Sequence, residues 1–428
     1  MNVEVFSLLT KKSFLPLFLT QFFGAFNDNA FKLAMLTLIS YFLTQSQAYS
    51  EHYQALAGAL FIIPFFIFSA TAGQLADKFD KAVISRWVKI LELFLMAIGG
   101  ISLYFGNIIL MMATLTGMGI HSTFFGPIKY AILPDHLPEN QLMGATALIE
   151  GSTFFAILLG TTLGTLSIGG AQSGTVYAIG LTLIAAVFGL AASWFIPSAP
   201  PTAKNLTIDW RLFRATNRMI KDVFSNKEVI VAIIAISWFW MVGTIILTKL
   251  PDYANYVLRA ETTVFAAFLA LFSIGIALGS LCINQLLSGK VTLHYVPHTM
   301  LLLSIFACDL YWATPLYTSD LPLQTFSQFF TKPTHLRVTL DLFFLALSGG
   351  MFIVPLYTTL QVKSEGMFRA RTIAANNIIN AIFMVGGTLL VMLLLYLSLT
   401  IPQVFLITGL LNATAAIVLR FWLKKPPS

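Results

Sequence analysis

Asp28 and Lys32 stand four residues apart inside an apolar run that extends from Phe14 to Phe42, and Asn27 and Asn29 flank the acid. At ~1.5 Å per residue such a run crosses a ~30 Å hydrocarbon layer as a helix. Charges and amides at that depth are costly in lipid, so they face a protein interior or a wet cavity. The i,i+4 spacing puts Asp28 and Lys32 on one helical face. Two chemistries suit the pair: mutual neutralisation that fixes helix packing, or the lining of a substrate path. The asparagines favour the path, because packing alone does not require them.

Other polar groups lie in later apolar runs. Lys129 follows Gly126-Pro127, a pair expected to break or kink its helix and free backbone groups beside a cavity. His121, earlier in that run, reads as a hydrogen-bonded packing residue or a proton carrier. Glu150 lies well inside the next run with no basic neighbour in sequence, so Lys129 or Lys32 is its expected partner. Lys89 is expected to snorkel to the interface and to pair with Glu92 at i,i+3 in a structural role. In the second half Asn376, Asn377 and Asn380 stand where acids would, and Asp309 is the main intramembrane acid, structural or coupling.

These residues need helices to hold them. The 428 residues are 57% hydrophobic and only 10% charged, against about one quarter charged in soluble domains. Runs of spanning length recur from end to end, which predicts an all-α membrane protein of twelve transmembrane helices. The spans fall near 13–44, 52–76, 83–105, 108–132, 141–166, 174–196, 229–250, 262–287, 296–316, 337–361, 372–397 and 401–423. The first run is too long for a signal peptide and reads as the first span. Cys282 and Cys308 lie in apolar segments and read as packing residues; no metal or cofactor spacing occurs. The net charge of +7 does not point to nucleic acid, because the basic residues cluster beside the spans.

Those bases also set orientation. One side holds Lys11, Lys12, Lys78, Lys81, the basic residues of 204–227, Lys363, Arg369, Arg371 and Lys424, among others. The other holds only Lys249, Arg259, Lys332 and Arg337. The richer side is cytoplasmic, and with it both termini. Residues 1–196 then form an N-terminal six-helix bundle, 197–228 a cytoplasmic linker, and 229–428 a C-terminal six-helix bundle. In the linker, 209–224 reads as an amphipathic helix. Arg211, Arg214, Arg218 and Lys221 share one face; Leu212, Phe213, Met219, Ile220, Val223 and Phe224 share the other, as suits a tether lying on anionic lipid. The outer loop 317–336 reads as a solvated connection. Phe352-Ile353-Val354-Pro355 echoes Phe124-Phe125-Gly126-Pro127, and Ile379-Asn380-Ala381 echoes Ile149-Glu150-Gly151. Two such pseudo-repeats are what alternating access between halves requires.

The loop after the second span, Gly73-Gln74-Leu75-Ala76-Asp77-Lys78-Phe79-Asp80-Lys81, resembles the G-x-L-a-D-x-x-x-[RK] signature of the major facilitator superfamily. The resemblance implies the major facilitator fold, with Gly73, Asp77, Lys78 and Lys81 in a conformational latch. The stretch from Gln21 to Phe31 is similar to the first span of lysophospholipid transporters of Gram-negative inner membranes. It also resembles the transporter domain fused to acyltransferase and acyl-carrier-protein (acyl-ACP) synthetase modules. Pro127-Ile128-Lys129-Tyr130-Ala131-Ile132-Leu133 and Leu148-Ile149-Glu150-Gly151-Ser152-Thr153 resemble two further motifs of that family. What this implies is a bacterial inner-membrane transporter, not an enzyme, that flips lysophospholipid by alternating access. Asp28, Asn29, Lys32, Lys129, Glu150 and Asn380 are the expected substrate-binding residues. Membrane lipid and an acyltransferase/acyl-ACP synthetase are the expected partners. One departure bears on substrate choice: that family carries an Arg after Phe-Trp in span seven, whereas Phe239 to Leu247 holds none and Lys249 follows.

The alternative is a proton-coupled transporter of a small amphiphile such as a drug or siderophore, marked by gradient dependence through Asp28 or Glu150. An acyltransferase is disfavoured, since no His-x-x-x-x-Asp occurs. No Gly-x-x-x-x-Gly-Lys loop for nucleotide binding occurs either.

Overall fold

The computed structural model describes residues 3–44, 47–168, 174–223, 226–315 and 322–424. Among the described residues twelve long helices follow one another: α1 Leu15–Leu38, α2 Gln47–Lys78, α3 Lys81–Tyr104, α4 Ile108–Ala131, α5 Glu139–Ile168, α6 Gly174–Trp194, α7 Lys227–Asp252, α8 Thr262–Leu286, α9 Val296–Ala313, α10 Pro333–Lys363, α11 Arg369–Tyr396 and α12 Ile401–Lys424. Eleven are long and apolar enough to cross a membrane; α1, at 24 residues, has the length but carries Asp28 and Lys32. A lipid-spanning backbone must satisfy its own hydrogen bonds, which is why these apolar runs become helices. Their observed bounds track the expected ones; residue 316, assigned to the ninth span, lies outside the described residues.

Helix α1 packs on α5 and α6, α2 on α4, and α3 on α4 and α6. After the linker, α7 packs on α11 and α10, α8 on α10, and α9 on α10 and α12. The first set meets the second chiefly where α5 lies on α8 and α2 on α11. Small residues allow these approaches. A Cβ on Gly160 of α5 would lie 2.4 Å from the Phe26 carbonyl oxygen of α1, and one on Gly73 of α2 would lie 2.8 Å from the Arg371 Cα of α11. Close backbone contact between small residues is the main route to helix association in lipid.

Several expectations are corrected. Pro127 does not end α4, which continues to Ala131, and α10 likewise runs through Pro355. Lys89 does not snorkel: it is fully buried, because Glu92 supplies a partner in the interior. The outer loop is not merely solvated. Thr325 and Gln328 cap a short helix, Phe326–Phe330, whose Phe329 is buried against Phe268 and His335. Residues 317–321 of that loop lie outside the described residues. Cys282 is exposed rather than packed, and both cysteines are free. The linker helix spans Leu212–Val223 and buries Ala215, Met219 and Val223 against α2 and α11, so protein takes up part of its apolar stripe. Phe213 on it remains 89% exposed, and Phe224 lies outside the described residues.

Asp80 caps α3 by accepting from the Ala82 amide at 2.8 Å, and also accepts from the Ser198 hydroxyl and the Ala199 amide. Partial burial pushes its carboxyl up, but these hydrogen bonds outweigh that and hold it below the usual carboxylate range. Replacing Asp80 with alanine is expected to lower stability by about 1–2 kcal/mol at neutral pH. A depressed acid stabilises above its unfolded pKa and loses that contribution as pH falls through its folded value. The gap between wild type and variant in thermal unfolding should therefore narrow in acid; a gap that widens there would contradict the assignment.

Candidate functional site

On α1, Gln21, Gly24, Ala25, Asp28, Asn29 and Lys32 recur at helical spacing and face one cavity of about 460 Å³. Lys129, Ser122 and His121 of α4 and Glu150 of α5 line it, as do Trp240, Tyr357 and Asn380 from the second set of helices. All six residues expected to bind substrate therefore border the same space. Phe61, Phe65, Phe125, Ile157 and Met384 supply apolar wall.

The polar groups within it are specifically held. Asp28 Oδ2 accepts from the Ser122 hydroxyl at 2.5 Å, while its Oδ1 has no partner among the described residues. Among the described residues no ion pair within 4 Å joins Asp28 to Lys32, although the Asp28 charge still acts on the lysine. The Lys32 ammonium instead lies 5.7 Å from the Phe61 ring centroid. Asn29 donates to the Ala25 carbonyl at 2.8 Å. Asn380 accepts from the Ser237 hydroxyl at 2.7 Å.

Among the described residues Glu150 makes no ion pair within 4 Å, although Lys129, one of its two expected partners, is the charge that acts on it. The carboxylate accepts from the Tyr130 hydroxyl, because α4 and α5 bring that phenol closer than either amine. The Tyr130 ring stacks on Tyr357 of α10, centroids 4.3 Å apart and planes 8° from parallel. Trp240 donates to the Tyr357 hydroxyl at 3.1 Å. The Lys129 ammonium lies 4.7 Å from the Tyr130 centroid, within cation–π range. One ring from each set of helices thus lines the cavity, stacked face to face.

Behind Asp28 lies a buried charge cluster. Glu92 accepts from Lys89 at 2.6 Å and Asn27 at 2.9 Å, and His121 Nε2 lies 3.1 Å away. Gly24 makes room for this: a Cβ there would lie 2.6 Å from the Lys89 ammonium nitrogen. The structural pairing of Lys89 with Glu92 holds, and His121 joins it.

Beyond the tyrosines, Asp77 is fully buried. It accepts from the Ala370 amide at 3.0 Å, the Arg371 amide at 3.4 Å and Arg371 Nε at 2.8 Å, and so caps the start of α11. Its partners come from α11, and the neighbouring Lys78 and Lys81 turn elsewhere. Lys81 pairs with Asp135 at 2.9 Å, and Arg369 meets the same Asp135 at 3.4 Å. Lys78 lies over its neighbour Phe79, 5.8 Å from the centroid. Gly73 is where α2 touches α11. Arg369, Arg371 and Asp135 were not singled out by sequence reasoning; Arg369 and Arg371 figured only among the bases that set orientation. Tyr130 sits inside a quoted motif, and the proline echo between α4 and α10 was the available signal for Tyr357.

A family model described as Major Facilitator Superfamily matches residues 17–364. The chain is similar to the lysophospholipid transporter LplT of Escherichia coli O157:H7 (strain EC4115 / EHEC), 25% identical over 373 residues that cover 85% of this chain and 84% of the relative. LplT of Enterobacter sp. (strain 638) is 25% identical over 377 residues, 87% of this chain and 84% of the relative. Among solved structures, the human organic anion transporter MFSD10 superposes with a TM-score of 0.74 at 11% identity, over 96% of this chain and 99% of that one. The transporter FucP in the outward conformation superposes at 0.69 with 15% identity, over 96% and 99%. At these identities the solved structures speak to the fold.

Proposed function

The chain belongs to the Major Facilitator Superfamily, and from that footing we propose that its central cavity carries lysophospholipid across the bacterial inner membrane. It is a multi-pass secondary transporter, not an enzyme. The observation that carries the proposal is that acids and amines of α1, α4 and α5 border one cavity with an aromatic end and apolar walls. A lysophospholipid presents an ammonium, a phosphate and one acyl chain. The free oxygen of Asp28 suits the ammonium, with Glu150 offering the oxygen that Tyr130 leaves open. Lys32 and Lys129 suit the phosphate, as charge-assisted hydrogen bonds away from bulk water. Asn29 and Asn380 border the head group, and the phenylalanine wall suits the chain.

Residues 1–196 and 229–428 are then two bundles that rock about the cavity, with 197–228 as tether. Asp77, with Gly73, Lys78 and Lys81 around it, is the latch, and Arg371 its counterpart. Both termini lie in the cytoplasm on this reading, which rests on the excess of bases at that side. The side of the cavity lined by Tyr130 and Tyr357 then faces inward. An acyltransferase/acyl-ACP synthetase would use the delivered substrate in the inner leaflet.

The test is entry of labelled lysophosphatidylethanolamine into proteoliposomes. Lys129→Ala is expected to slow it at least tenfold, roughly the cost of one lost charge-assisted contact; transport at the wild-type rate would remove Lys129 from the site. One observation favours a second reading, proton coupling. Ser122 joins Asp28 on one side and lies 3.5 Å from His121 Nδ1 on the other, with Glu92 beyond. Imposing a proton gradient in the same assay separates the two: facilitated flipping is indifferent to it.

A further inference from the structure

A second cavity, of about 400 Å³, lies apart from the central one, between the linker helix, the start of α7 and the turn from α10 into α11. Its wall is mixed. Met219, Val223, Val229 and Phe368 provide apolar surface, and Lys221, Lys363 and Arg371 provide positive charge; Asp222 and Glu365 also line it. Lys363 is engaged by Glu228 at 3.0 Å and Arg371 by Asp77 at 2.8 Å. Lys221 has no partner among the described residues. Neither has Ser364 Oγ, which belongs to the same wall in a residue only 5% exposed. A buried hydroxyl without a partner is uncommon in native proteins and asks for an occupant.

The surroundings say what kind. Arg211, Arg214 and Arg218 are exposed along the linker helix and its entry. Trp210 and Phe213 beside them are 68% and 89% exposed. Exposed aromatics interleaved with bases are the pattern of a segment lying in the head-group layer of an anionic leaflet. A water-soluble anion would use the positive charge but leave the apolar side of the cavity idle.

We propose that this cavity binds the phosphate of an anionic phospholipid from the adjoining leaflet, held by Lys221 and Ser364, with its glycerol and first methylenes against Met219 and Phe368. The occupant ties the linker helix to α10 and α11. Arg371 belongs both to this wall and to the contact with Asp77, so a bound lipid braces the end of the molecule where the two sets of helices meet. The site is independent of what the central cavity carries.

The test uses the full chain in nanodiscs of phosphatidylcholine to which phosphatidylglycerol is added in steps. The midpoint of thermal unfolding is expected to rise and saturate, by about 3–5 °C. Lys221→Glu, a change at an exposed position, is expected to abolish the rise while leaving the midpoint in pure phosphatidylcholine unchanged. A rise that survives in Lys221→Glu overturns the site, as does no rise at all. An equal rise with glycerol 3-phosphate added to phosphatidylcholine discs overturns the lipid as its source. A chain that moved no lysophospholipid would still show the shift, so failure of the transport reading is separately visible.

Discussion

Asp28→Asn is expected to cut transport of lysophosphatidylethanolamine by on the order of 100-fold, the usual consequence of removing one partner from a desolvated, hydrogen-bonded charge pair. The asparagine keeps the shape and can still accept from Ser122, whose hydroxyl lies 2.5 Å from the acid. What it loses is the negative charge at the unpartnered oxygen, where the substrate ammonium is placed. A lysolipid with a glycerol head group lacks that ammonium, so its transport should change little in the same variant. Competition between the two substrates in one preparation makes the comparison. If both fall equally, Asp28 holds helices together and does not read the head group.

The second large effect is expected at Asp77. Alanine there removes three acceptor contacts at once, from Ala370, Arg371 and the Arg371 side chain, and leaves Arg371 facing a space with no counter-charge. Breaking such a buried pair costs about 3–5 kcal/mol. It also strips the start of α11 of its cap. The cost falls only on the conformation in which α2 touches α11, so the closed form should lose more than 100-fold in population. A cysteine at Asn377, in a background without Cys282 and Cys308, provides the readout. Asn377 sits where α11 meets Gly126 of α4. A membrane-impermeant thiol reagent applied from the Asp77 side should label it slowly in the parent and rapidly in Asp77→Ala. Equal labelling would mean that some other contact holds this end shut.

Much of the architecture can be read from the chain because lipid imposes a blunt rule. A helix must be apolar for some twenty residues, so runs bounded by bases, prolines and glycines give the spans to within a few positions. The cavity was legible for a related reason: Asp28, Lys32, Lys129 and Glu150 are too costly to leave in hydrocarbon, so they had to converge somewhere. What they converge with was not legible. Glu150 is met by Tyr130, a residue with no formal charge to advertise it. Lys89 was expected at the interface because a long side chain next to a helix start usually reaches water. Its pairing with Glu92 was legible from the i,i+3 spacing, but only the packing of α3 against α1 and α4 shows Asn27 and His121 on that same carboxylate, inside the protein. Asp77 finds Arg371 almost three hundred residues away, while of the lysines beside it in sequence Lys81 turns to Asp135 and Lys78 to the Phe79 ring. Spacing along one helix predicts neighbours on that helix and says little about the helix that will lie across from it.

The stacked pair Tyr130 and Tyr357 has a consequence for the ease of passage. Parallel aromatic faces are worth only about 0.5–1.5 kcal/mol beyond the area they cover, a small cost for sliding apart. The partition they form is therefore a light door, replaceable at each cycle by the flat flank of a departing lipid. Its hinges, Glu150 on one phenol and Trp240 on the other, keep each leaf with its own frame. If Asp77 is the latch proposed above, the bolt lies at the carboxylate that grips α11.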